Sequence, residues 1–116
     1  MLSILIPTFN YNVTNLVFEL YGQCSDQKSV FEIIVLEDGS TKHIDENKRI
    51  EKWNNCRHII LKHNIGRSAA RNKLAELAQY EHLLFIDCDA QVSSSHFIER
   101  YLAFCHEDCI VIGGTA

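Results

Sequence analysis

Five short apolar runs recur along the chain: "LSILI" (2 to 6), "EIIVLE" (32 to 37), "HIIL" (58 to 61), "LLFID" (83 to 87) and "CIVIG" (109 to 113). Each is rich in Ile, Val or Leu at successive positions. A strand apolar on both faces must be covered on both, as a central strand of a parallel sheet is. The segments between the runs carry the other period. Val13, Leu16, Val17, Leu20 and Tyr21 fall at helical spacing, as do Ala70, Leu74, Leu77 and Ala78. Phe97, Ile98, Tyr101, Leu102 and Cys105 form a third stripe, with Ser93 to Ser95 as cap candidates before it. Asp45 to Trp53 is mostly charged and carries the weakest helical pattern. This alternation predicts an α/β fold, a mostly parallel sheet flanked by helices and joined by right-handed crossovers. With 116 residues and 47% hydrophobic content, a single domain over 1–116 buries roughly two thirds of its unfolded surface and needs no disulfide staple.

Ligands of such sheets bind beyond the carboxyl ends of the strands. The polar punctuation of this chain falls there: "PTFNYN" after the first run, "EDGST" after the second, "KHNIGRS" after the third and "DCDAQ" after the fourth. One edge of the sheet is therefore the expected functional edge. No internal repeat, linker or low-complexity stretch interrupts the pattern.

Charge and cysteine usage narrow the partners. A formal net charge of −4 argues against nucleic acid, which is bound through a basic surface that releases counterions. Nine of the 11 Lys and Arg residues nevertheless lie between Lys42 and Lys73, so a phosphate is welcome locally. The five cysteines form no CxxC pair and read as reduced, buried thiols. Cys105, His106 and Cys109 lack a fourth partner at zinc-like spacing. The six histidines show no HExxH or other ligand spacing and are assigned structural or surface roles. "MLSILIPTFN" lacks the basic and long apolar regions of a signal peptide, and no run approaches the about 18 apolar residues of a membrane span. The chain reads as cytoplasmic, at most peripheral to a membrane.

Three loops carry chemistry. On an extended chain, residues i and i+2 project to the same side, which would set Asp87 and Asp89 roughly 6 to 7 Å apart. At an effective dielectric near 20 their charges repel by about 3 kcal/mol, relieved by a cation or a shared proton. Mg²⁺ or Mn²⁺ is the simpler relief, because such ions take one or two carboxylates and fill their other positions with water and diphosphate oxygens. In "EDGST", Gly39 stands where a tight turn requires it, and Asp38 either accepts hydrogen bonds from a base or ribose or caps that turn. "HNIGRSAARN" opens a helix and sets Arg67 and Arg71 one turn apart near its start, where exposed N–H groups, the helix dipole and guanidinium forks favour a phosphate ester. A structural ion pair is the other reading of Arg71.

"SILIPTFN", "EIIVLEDGST", "NIGRSAARN" and "LLFIDCDAQV", in this order and spacing, resemble the donor-binding half of the family 2 glycosyltransferases, and the resemblance spans nearly the whole chain. It implies a Rossmann-like nucleotide-diphospho-sugar (GT-A) fold, a UDP- or GDP-sugar donor, Mn²⁺ or Mg²⁺, a carbohydrate or lipid-linked acceptor, and transfer with inversion at the anomeric carbon. Asp87 and Asp89 match the DxD pair, whose last carboxylate binds the metal and whose first lies near the ribose. Asp38 matches the acid at the base, Pro7 and Thr8 the loop beside the nucleotide, and Arg71 the arginine on the nucleotide side. Family members carry the acceptor site and the catalytic base in a second half. This chain ends at "VIGGTA", so it reads as a truncated donor-binding half, with Glu99, Glu107 and Asp108 matching no base motif and with uncovered apolar surface that favours self-association. A non-catalytic nucleotide-sugar-binding module is the alternative. A receiver-like phosphoacceptor domain would need a lysine that "CIVIGGTA" does not offer. A haloacid-dehalogenase-type phosphatase would need Thr or Val where Gln91 stands.

Overall fold

The computed structural model of the chain describes residues 1–27, 30–90, 92, 96–104 and 110–113. Five strands, β1 (Leu2–Thr8), β2 (Phe31–Asp38), β3 (Cys56–Leu61), β4 (His82–Ile86) and β5 (Ile110–Gly113), form one sheet in the order β3-β2-β1-β4-β5, and every neighbouring pair is parallel. The helices are α1 (Thr14–Asp26), α2 (Ile44–Lys48), α3 (Arg67–Leu77) and α4 (Phe97–Phe104), and α2 runs into a 3₁₀ turn over Arg49–Lys52. The charged stretch expected as a weak helix is thus a short helix that tightens. The third stripe forms α4, while its expected cap serines Ser93 to Ser95 and its last member Cys105 lie outside the described residues.

The period of two in each strand divides the core. Leu2, Ile4, Ile6, Ile33, Val35, Leu84 and Ile86 face one side and pack with Val13, Leu16, Val17 and Leu20 of the α1 segment and Ile98 and Tyr101 of α4. Leu5, Ile34, Leu36 and Phe85 face the other and meet Ala70 and Leu74 of α3. Both faces of the central strands are covered, as the continuous apolar runs require. Each of the buried Val, Leu, Ile and Phe side chains among them contributes about 1.5 to 3 kcal/mol by leaving water. The runs "HIIL" and "CIVIG" differ from their expectation: β3 and β5 are the edge strands, and Ile60 of β3 is 48% exposed.

Polar anchors are buried within this frame. At the amino edge of the sheet, Glu32 accepts hydrogen bonds from Ser3 Oγ (2.7 Å), Arg57 (3.0 Å) and the Gln79 N–H (2.6 Å). Toward the carboxyl edge, Asn47 Nδ2 donates to Glu37 Oε2 (2.8 Å) and to the Tyr11 carbonyl (2.7 Å), and Asn47 Oδ1 accepts from the Val13 N–H (2.9 Å). One amide therefore ties α2 to β2 and to the loop before α1. His58 Nε2 lies 2.8 Å from the same Glu37 oxygen, and both side chains are essentially inaccessible. Burial pushes the Glu37 carboxyl up, but hydrogen bonds from His58 and Asn47 outweigh it and hold the group below its ordinary value.

Two outcomes follow from this network. Asn47→Ala removes three hydrogen bonds and strands buried partners, so unfolding in urea should show a loss of roughly 2 to 4 kcal/mol; a loss under 1 kcal/mol would mean that the network is not a fastener. Because the folded value of Glu37 lies below the unfolded one, its contribution is complete above the ordinary carboxylate value and is lost as pH falls through the lowered one. Stability measured from pH 7 downward should therefore decline in the acid range, and Glu37→Gln should flatten part of that decline.

Candidate functional site

The strand order places β1 between β2 and β4, so the chain leaving β1 and the chain leaving β4 part at the carboxyl edge and open a crevice. A cleft of about 530 Å³ lies there, walled by Pro7 and Thr8 at the end of β1, Phe9 and Tyr11 after it, Asp38 at the end of β2, Asn64, Gly66, Arg67 and Ala70 at the start of α3, and Asp87, Cys88 and Asp89 after β4. Its size suits a small organic ligand.

Asp38 is buried and does not point freely into the cleft. Its carboxylate accepts the Ile65 N–H on Oδ1 (2.7 Å) and the Gly66 N–H on Oδ2 (3.2 Å), and its carbonyl accepts from Asn64 Nδ2 (3.0 Å). The acid thus holds the β3–α3 loop against the end of β2. Gly39 is required beside it. At φ +75 its backbone is left-handed, and a Cβ there would stand 2.5 Å from the Asn64 nitrogen.

Asp87 and Asp89 depart from the extended geometry expected of them. β4 ends at Ile86, and the Ala90 N–H donates to the Asp87 carbonyl (3.0 Å), closing a tight turn over the pair. Asp favours the first position of such turns, and the turn keeps both residues in the cleft wall. Their surroundings differ. Asp87 Oδ1 accepts a short hydrogen bond from Arg67 (2.5 Å), with Arg71 3.6 Å from the same atom. Asp89 is exposed, and among the described residues no cation pairs with it. The described residues hold no cluster of three His, Cys, Asp or Glu able to enclose an ion. A hard cation that takes one or two carboxylates and completes its shell with water and ligand oxygens fits this arrangement; an all-protein cage does not.

The other expected residues fall on both sides of the cleft wall. Pro7 and Thr8 line it, Thr8 being buried with its hydroxyl 3.3 Å from the Ile6 carbonyl. Arg71 is not among the lining residues: its guanidinium carbon stands 5.7 Å from the Phe85 ring centroid, so it supports Asp87 from the sheet side. Phe9 and Tyr11 were not singled out, yet both line the cleft while exposed. The signal was present in "PTFNYN", two aromatic residues in a polar loop with no helical or strand period to bury them. Asn10, in the left-handed region at φ 51, stitches that loop to the next by accepting the Thr41 and Lys42 N–H groups (2.7 and 3.1 Å). Burial pushes the Cys88 thiol up and the flanking carboxylates of Asp89 and Asp87 add to it, against a backbone hydrogen bond at Phe9. The thiol is therefore protonated at neutral pH. Cys24 and Cys56, pushed up to about 12 by burial, are equally inert.

Known proteins resemble this chain in sequence and in fold. The chain is 32% identical over 100 residues to the Escherichia coli K12 protein named uncharacterized glycosyltransferase YibD, an alignment covering 78% of this chain and 26% of the relative. It is 35% identical over 92 residues to Escherichia coli chondroitin synthase, covering 76% of this chain and 13% of that enzyme. Among solved structures, S. aureus TarS 1-349 in complex with UDP superposes with a TM-score of 0.70 at 28% identity, over 89% of this chain and 31% of that TarS 1-349 chain. The chain thus spans about a third or less of the length of the proteins it matches. Residues 3–116, which hold the carboxyl-edge cleft and all of the sheet but Leu2, match the model of glycosyl transferase family 2, and the chain belongs to that family.

Proposed function

We propose that the carboxyl-edge cleft is the donor site of an inverting glycosyltransferase, binding a nucleotide-diphospho-sugar of the UDP type together with Mn²⁺ or Mg²⁺. The observation that carries this reading is the convergence on one cleft of an exposed carboxylate, Asp89, with the cationic start of α3, Arg67 and the Gly66 turn. A diphosphate needs both: guanidinium and N–H donors for its oxygens, and a carboxylate that shares a divalent cation with it. The likeness to a UDP complex supports the choice of nucleotide.

In this reading Pro7, Thr8 and Phe9 border the nucleoside, with the exposed Phe9 ring offering a face for a base. Asp38 positions the Ile65–Gly66 turn and, through it, Arg67. Asp87 lies toward the ribose side and Asp89 holds the cation. When bound, a divalent cation would neutralise the diphosphate and so make it a better leaving group. Transfer with inversion forms a bond from the acceptor hydroxyl oxygen to the anomeric carbon as the bond to the diphosphate oxygen breaks, and the hydroxyl proton passes to a base. Glu99 does not supply that base from α4, since it pairs with His96 at 2.9 Å and is not part of the cleft wall. Glu107 and Asp108 lie outside the described residues. The carbohydrate or lipid-linked acceptor and the base are assigned to the part of such proteins that this chain does not span.

Titration calorimetry tests the reading. The parent chain should bind UDP more tightly with Mn²⁺ than without, and Asp89→Asn should lose that Mn²⁺-dependent part while its circular dichroism is unchanged. Equal Mn²⁺-dependent affinity in the variant would remove Asp89 from the site. Asp38→Ala should weaken uridine and pyrophosphate alike, by roughly 1.5 to 3 kcal/mol, because the loop that carries Arg67 loses its anchor. A loss confined to uridine would make Asp38 a direct base contact instead.

A further inference from the structure

Arg67 occupies a position that is unfavourable for the helix it begins. It is the first residue of α3, where the dipole and the unpaired N–H groups already present positive charge, and a cation there destabilises the helix. It is also 64% exposed on its side chain, so it contributes little to packing. Its one ion pair among the described residues crosses the cleft to Asp87, one of the two acids that flank the cation position of the donor site. Arg71 already stands 3.6 Å from the same oxygen and is braced on Phe85. Asp87 therefore keeps a cationic partner without Arg67. The second guanidinium is redundant for holding Asp87 in place, yet it stands where a divalent cation and a diphosphate must come together.

We propose that Arg67 is a switching residue for the donor site. In the free protein it occupies Asp87 and repels a divalent cation from the acidic pair; when a diphosphate enters, it moves to the phosphate oxygens and releases Asp87. The geometry allows both states, because Arg67 and Asp87 line the same cleft and an exposed arginine reorients without disturbing the core. A guanidinium fork suits phosphate oxygens at least as well as a carboxylate, and a diphosphate offers more of them. The cleft is thus arranged for ordered entry, in which the cation binds weakly until the diphosphate has drawn Arg67 away. This inference rests on the donor-site reading above and adds to it a residue that makes cation and nucleotide binding cooperative. Reciprocity then requires the cation to tighten the nucleotide by the same factor.

The test is Arg67→Gln, with Arg67→Lys beside it, both checked for folding by circular dichroism and titrated separately with Mn²⁺ alone, with UDP alone and with both. Loss of one charge-assisted hydrogen bond corresponds to roughly tenfold or more in affinity. Arg67→Gln should bind Mn²⁺ alone about tenfold more tightly than the parent and UDP alone about tenfold more weakly. Arg67→Lys, which keeps the charge and loses the fork, should fall between the two for both ligands. A fixed cation in the cleft would also give opposite signs, so the coupling decides. The factor by which UDP tightens Mn²⁺ should fall about tenfold in Arg67→Gln, whereas an arginine that stays in place would leave that factor unchanged and overturn the switch. If Arg67→Gln binds Mn²⁺ alone no better than the parent, including the case where neither shows binding, or if both affinities move in one direction, Arg67 is not a switch. A parent chain that binds UDP with Mn²⁺ while the variants fail in this way overturns the switch alone; a parent chain that binds no UDP under any condition overturns the donor site and the switch together.

Discussion

Parallel pairing on both sides of β1 is the constraint from which the rest of the molecule follows. Because β1 is hydrogen-bonded in parallel to β2 and to β4, all three strands release their chains at the same edge. The chain from β1 crosses through α1 to β2 on one side, and the chain from β4 continues toward α4 and β5 on the other, so the loops at that edge separate between β1 and β4. The crevice is a consequence of connectivity, and the fully buried apolar residues of β1, Leu2, Ile4, Leu5 and Ile6, hold it in place from both faces.

On that frame the cleft is assembled by polar groups that fasten one loop to another. Asp38 holds the turn before α3, Asn10 and Ser40 join the loops after β1 and β2, and Asn47 joins α2 to Glu37 and to the approach of α1. Glu32 performs the same task at the opposite edge with Ser3 and Arg57. The two edges differ in what is left over. At the amino edge the buried Glu32 carboxylate accepts three hydrogen bonds, whereas at the carboxyl edge Asp89 remains exposed beside an Asp87 that Arg67 and Arg71 flank. A carboxylate that no cation pairs with among the described residues, at the edge where the sheet opens, is what marks that edge as the proposed binding site.

Much of the fold was legible because its signals are periodic. Strand positions came from runs with no polar face and helix positions from stripes at i, i+3 and i+4, and both signals depend only on which residues must leave water. β3 misled in one respect: Ile59, Ile60 and Leu61 look as central as Leu83 and Leu84, but strand order is a long-range property and no local pattern says that a run will be an edge. Within the site, Asp87, Asp89, Pro7, Thr8 and Asp38 were found in the cleft wall because they follow strands. The turn over Asp87 to Ala90 was missed, since two acids separated by one residue read equally well as strand or turn. The occupation of Asp38 by backbone N–H groups and the Arg67–Asp87 pair were invisible for a different reason. Each joins residues at least twenty positions apart, and only the folded chain brings them within hydrogen-bond distance.

The central claim is that UDP and a divalent cation meet at the carboxyl edge between the ends of β1, β2 and β4. The most direct measurement is the paramagnetic broadening of backbone amide signals of the ¹⁵N-labelled chain when Mn²⁺ is added in the presence of UDP, with Mg²⁺ as the diamagnetic reference. The account expects the signals of Thr8, Phe9, Gly39, Gly66, Arg67 and Asp87 to Ala90 to be lost first, while Val30, Asn55 and Tyr80 at the amino edge stay sharp. Broadening centred on the amino edge around Glu32 and Arg57, or spread evenly over the chain with no dependence on UDP, would contradict it.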